Sequence, residues 1–99
     1  MPNNERFRAN HDPQSNVDYT IDWSLVLTAS SPIDTISTSA WRVEGDDAMS
    51  LGAAGESGSN VSTFVTGGTA GGVAKLINTI TTAGGRTHER TIYLTVKQL

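Results

Sequence analysis

The chain has 99 residues, no cysteine, and seven Lys and Arg against ten Asp and Glu, giving a net charge of −3. That length builds one domain burying roughly 65% of its extended-chain surface. Disulfides and thiolate metal sites are excluded, and the acidic balance leaves no basic stripe for a phosphate backbone. No apolar run approaches the roughly 20 residues of a membrane span. The N-terminus MPNNERFRAN also lacks the apolar block of a signal peptide. The expectation is a protein made in the cytoplasm that binds neither nucleic acid nor membrane.

In chain order, residues 1–16 form an arm too poor in apolar side chains to fold alone. Contact with another chain would order it, with Phe7 as anchor and Arg6 and Arg8 flanking. Residues 17–99 are the domain. In DYTIDWSLVL, Tyr19, Ile21, Trp23, Leu25 and Leu27 share one parity, and Asp18, Thr20, Asp22 and Ser24 the other, as in a strand with one dry face. SSPID is a turn set by Pro32. In DTISTSAWRV, Ile36 has even parity but Trp41 and Val43 odd, which requires a bulge or break near Ser39. VEGDDAMSLGAAGESGSN reads as a long polar connection.

NVSTFVT opposes Val61, Thr63 and Val65 to Ser62 and Phe64, without showing which set is buried. TGGTAGG is a corner built on Gly67, Gly68 and Gly71. GVAKLINTITT buries either Leu76, Asn78 and Ile80 or Val73 and Ile77. An inward Asn78 needs its amide hydrogen-bonded, because a buried unpaired one costs roughly 1–3 kcal/mol. The closing stretch NTITTAGGRTHERTIYLTV is a hairpin with Gly84 and Gly85 free to take positive φ, and its last strand turns Ile92, Leu94 and Val96 inward. Good helix formers are thin and never recur at a period near 3.6, so no helix is expected. Six or seven short antiparallel strands at this spacing define an all-β sandwich.

The chemistry-bearing residues point away from catalysis. Asp18 and Asp22 on one strand face stand about 13 Å apart, too far for a glycosidase pair. Asp46 and Asp47 lack a calcium-loop pattern and read as a solvated turn. His11 and His88 have no ligand partner at metal spacing and read as surface groups. TGGTAGG precedes a strand and lacks the Gly-Lys-Ser/Thr of a P-loop. No cofactor or metal site is expected. Trp23 and Trp41 have apolar parity mates and read as core. GRTHER places Arg86, His88 and Arg90 on one strand face. One of these arginines could brace Asp18 or Asp22, or both could make contacts between subunits.

DYTIDW, ISTSAWRV, TGGTAG and NTITTAGGRTHERTIYLTV, spanning Asp18 to Val96, resemble the motifs of a family of roughly hundred-residue virion proteins of tailed bacteriophages. That family usually carries an aromatic a few residues after the corner, where this chain has Gly72, Val73 and Ala74. The resemblance implies an immunoglobulin-like sandwich and a non-enzymatic structural role, docking fibre to tail. Such a protein is present in multiple copies and has tail, fibre or major capsid proteins as partners. Decoration of the capsid is the alternative within this class. A carbohydrate-binding sandwich is a more distant one, because only Tyr93, Phe64 and Phe7 are candidate platforms.

Overall fold

A computed structural model describes residues 8–29 and 32–99. Seven strands and one short helix follow in order: β1 (Arg8–His11), β2 (Asn16–Asp22), α1 (Ser24–Thr28), β3 (Ile36–Glu44), β4 (Met49–Ser57), β5 (Asn60–Gly67), β6 (Val73–Thr82) and β7 (Thr87–Val96). They form two sheets, β1-β7-β6-β3 and β2-β5-β4. β1 runs parallel to β7 and every other pair is antiparallel. This is the immunoglobulin strand order, with the first strand carried onto the sheet of the last.

The core lies between the layers because inward residues alternate on both. Ile21 and Trp23 meet Val61 and Val65 on one side and Leu76, Ile80, Leu94 and Val96 on the other, each at most 1% exposed. On β5 the buried set is Val61, Thr63 and Val65, and Phe64 faces out. On β6 it is Ala74, Leu76, Asn78, Ile80 and Thr82, and Ile77 on the opposite parity is buried as well, whereas Val73 is exposed. Asn78 is the polar centre. Trp23 Nε1 donates to its Oδ1 at 2.9 Å, and its Nδ2 donates to Ser39 Oγ and the Ala40 carbonyl. The amide is satisfied as its burial demands, by a tryptophan and a hydroxyl as well as backbone. Tyr19, Trp41 and Val43 are half-buried against this core.

Several expectations need correction. The strand through Trp23 stops at Asp22, whose carboxylate accepts the Ser24 N–H at 2.9 Å and turns the chain into α1. Leu27 stays buried, whereas Leu25 is 81% exposed. The bulge in β3 falls between Ile36 and Thr38, slightly earlier than Ser39. The supposed polar connection contains β4, an edge strand of small residues with its own irregularity between Leu51 and Ala54. Asp46 is buried and not a solvated turn residue. It accepts the Thr69 N–H at 2.7 Å, the Thr69 hydroxyl and the Ala48 N–H, which fastens the β3–β4 turn to the glycine corner.

Two further corrections concern the arm and the hairpin. The arm from Arg8 onward is ordered on its own domain, where β1 pairs with Tyr93 to Val96. Its His11 is 1% exposed and shares a 2.8 Å hydrogen bond between Nδ1 and the Tyr19 hydroxyl, so it is no surface group. Arg6 and Phe7 lie outside the described residues. At the hairpin tip Gly85 has positive φ but Gly84 does not.

Gly67 ends β5 at φ +86°, with the Ala48 carbonyl oxygen where a Cβ would stand. Gly67→Ala should destabilise by more than the roughly 1–2 kcal/mol of the left-handed conformation alone. Urea unfolding reads the loss. Unchanged stability would mean that the corner can relax around a side chain.

Candidate functional site at the α1 end of the sandwich

At one end of the sandwich, α1, the segment 32–36 and the β4–β5 turn surround a groove of about 320 Å³, lined mainly by Leu27, Ile33, Ile36, Ser24, Gly58 and Ser59. Ile33, 68% exposed, belongs to this groove, and Leu25, 81% exposed, projects from the same helix as Leu27. Isolated exposed leucines are ordinary. Two large aliphatic side chains open to water on one connection, beside an apolar groove, make this end a candidate interaction surface.

The support beneath is stiff, and Asp34 makes it so. Its backbone N–H donates to the Leu27 carbonyl at 3.1 Å. Its Oδ1 accepts the Gly84 and Thr35 N–H groups at 2.9 and 3.0 Å, and its Oδ2 accepts Arg86 Nη1 at 3.0 Å. The Asp34 side chain is 5% exposed while that of Arg86 is 48% exposed. Gly84 packs closely here, since a Cβ would crowd the Arg86 guanidinium and stand 3.0 Å from Asp34 Oδ2, so that the ion pair would have to shift. On the other flank, the Trp23 N–H donates to the Ser59 carbonyl at 2.9 Å and ties the β4–β5 turn to the start of α1.

The Thr82 hydroxyl, followed by the Gly84 and Thr35 amides and the Arg86 guanidinium, holds the Asp34 carboxyl down to about 2 against the opposing effect of burial. A folded-state value below the unfolded one favours folding fully above the ordinary carboxylate pKa of 3.8, and that advantage is lost as pH falls toward 2. Asp34→Asn should therefore flatten the acid side of the stability profile between about pH 4 and pH 2. An unchanged acid limb in thermal melts would contradict this role. Asp12, Asp22, Asp46 and Glu89 are also held below their ordinary values, mostly by backbone or hydroxyl donors, so part of the acid sensitivity will remain.

Arg86 and Arg90 are engaged within the domain. Arg86 precedes β7 and turns to Asp34, while His88 and Arg90 face inward on the strand. Arg90 lies 4.6 Å over the Trp23 ring, with Nη1 3.4 Å from the Asp22 carbonyl, so it spans from β7 to the end of β2. The Asp22 carboxylate accepts the Ser24 N–H and the Ser59 hydroxyl, and among the described residues Arg90 reaches it through its charge and not by a hydrogen bond. Arg8 is exposed at the start of β1. Sequence reasoning missed Arg42, which pairs with Glu44 and Glu89 at 3.1 Å on the outer face of the four-stranded sheet. Its signal was the alternation of Arg42 and Glu44 with Trp41 and Val43. It also missed Leu25, Ile33 and Asp34, where the available signal was an isoleucine and an aspartate in a turn of otherwise small residues.

Ser24 and Ser59 line the groove, but no histidine does, and the Asp34 carboxylate is committed to its donors. Among the described residues no group of three or more His, Asp or Glu could hold a metal ion. No described helix is long and apolar enough to cross a membrane. What this end offers is apolar area on a rigid support.

Fold and site together define a small immunoglobulin-like sandwich with a stiff apolar loop end. Residues 11–95 match the family described as podophage GP4 fiber-tail adaptor protein gp77, and the chain belongs to that family of phage fibre-to-tail adaptor proteins. The resemblance carried by the motifs from Asp18 to Val96 is thereby confirmed. No curated protein matches the chain.

Proposed function

We propose that the protein is a non-enzymatic part of a tailed-phage virion that docks fibre to tail, using the α1 end as one of its contact surfaces. The observation carrying this reading is the exposure of Leu25 and Ile33 on a connection whose position Asp34 fixes. A preformed apolar surface loses little entropy on docking, and buried aliphatic anchors supply affinity. Several copies around a symmetric particle let each contact be modest, because the effective concentration of neighbours is high. The partners are then tail and fibre proteins. A glycan-binding role has less support: Phe64, the most exposed aromatic among the described residues at 39%, stands on a face of small side chains.

Gold labelling of a tag at Leu99, which is 72% exposed, tests the placement on intact particles. Label confined to the tail is expected. Label distributed over the shell would replace this reading with capsid decoration.

A further inference from the structure

Acidic residues outnumber basic ones in this chain, ten to seven, yet a group of cations stays without a carboxylate partner. Among the described residues Arg8, Lys75 and Lys97 make no side-chain hydrogen bond or ion pair, and each is exposed. Register gathers them. Arg8 on β1 and Lys75 on β6 both lie opposite Tyr93 of β7, one on either side, at strand spacings of about 5 Å. Ala74, Leu76, Leu94 and Val96 take the inward parity, so this row stands on the outer face of the four-stranded sheet. In the next row Thr95 lies between Asn10 and Val73, and Lys97 follows on the same parity. Val73 is 57% exposed and Tyr93 half-buried, so the cations surround apolar surface. Glu44, opposite Lys75 on β3, is bonded to Arg42, and Asp12 accepts the Gln14 and Leu99 N–H groups. Neither carboxylate pairs with the patch.

We propose that this patch is a second contact surface, which takes a carboxylate-bearing stretch of a tail or fibre protein. The inference rests on the docking role proposed above, because a protein that joins two partners needs two separate surfaces. Tyr93 stands seven residues along the chain from Arg86, roughly 20 Å from the hairpin tip that leans on Asp34. The patch therefore lies toward the end of the sandwich away from Leu25 and Ile33. The two surfaces differ in chemistry, one aliphatic and one cationic, which keeps the two partners from exchanging places. Charge complementarity selects an acidic partner and speeds its approach, and the Tyr93 ring and Val73 supply apolar area once it docks. A second copy fits poorly, since a twofold axis through the patch would set the same cations against each other.

The test mixes the full chain with purified fibre protein and, separately, with phage particles assembled without this protein. Wild-type protein should bind both. Arg8→Glu with Lys75→Glu should lose at least about thirtyfold in affinity for one of them and keep the other. Leu25→Asp with Ile33→Asp should show the reciprocal pattern. Binding through the patch should fall at least about tenfold between about 50 and about 500 mM salt, and binding through the α1 end less than about twofold. Arg8→Gln with Lys75→Gln, which introduces no new charge, should melt as the wild type does and lose about fivefold at the same joint. Unchanged binding of both partners by the patch variants would overturn the proposal. Loss of the same partner by the patch and α1-end variants would overturn it too, by merging the two surfaces into one contact. Self-association of the wild type that the patch variants abolish would assign the patch to a second copy instead. A wild type that binds neither partner would remove the docking role itself, and the proposal with it.

Discussion

Trp23→Ala should leave little folded protein at room temperature. Removing the ring from a site 1% exposed costs about 3–5 kcal/mol through lost burial and the cavity left behind. The substitution also strands the Asn78 carboxamide oxygen, which accepts the indole N–H inside the core, and that adds roughly 1–3 kcal/mol. Against the about 5–15 kcal/mol that holds a domain of this size, most of the stability is gone. Trp23→Phe separates the two contributions, because it keeps most of the apolar volume but strands the same oxygen. It should cost about 1–3 kcal/mol for the unmet hydrogen bond plus a smaller packing loss. Urea unfolding measures both, with an unchanged dependence on denaturant showing that only stability moved. A loss below about 1 kcal/mol for Trp23→Ala would show that the Trp23–Asn78 link does not tie the two sheets together.

Leu25→Asp with Ile33→Asp should have the opposite profile: a folded, monodisperse protein that fails to join its partners. Both side chains are largely in water, at 81% and 68% exposure, so their replacement should change stability by no more than about 0.5 kcal/mol each. Buried in an interface, each new carboxylate would be desolvated without a partner. A combined penalty of about 4 kcal/mol corresponds to a roughly thousandfold loss of affinity. Melting curves check the first half. Particles assembled with the variant and counted for attached fibres check the second. Normal fibre attachment would remove the α1 end as the contact surface. The single change Phe64→Ser, on the outer face of β5, serves as a control and should leave attachment unaffected.

The sequence made the sandwich legible where alternation is backed by bulky residues. Tyr19 and Ile21 on β2, Trp23 just beyond its end, and Ile92, Leu94 and Val96 on β7 turn inward as their parity requires. The hairpin of β6 and β7 follows the glycine pair, and the face switch in β3 is a real register shift. Parity misled at Leu25 and Leu27, because two residues of spacing fit a strand and are uninformative about one helical turn. β4 was invisible because Gly52, Ala53, Ala54 and Gly55 carry no alternating signal, and its strand state comes from pairing with β5.

The functional end was less legible than the fold. Asp34 and Asp46 find hydrogen-bond partners 50 and 23 residues away in sequence, at Gly84 and Thr69, so nothing local distinguishes them from solvated turn residues. His11 is buried only because β1 lies against β7. Leu25 and Ile33 become conspicuous through exposure, which is a property of the folded surface and not of the residue type.

A reconstruction of the phage tail at side-chain resolution tests the docking role most directly. Copies of the sandwich should stand between tail and fibre, with Leu25 and Ile33 buried against a neighbouring protein. Sandwiches placed there with that end facing solvent, or found only on the capsid, would contradict it.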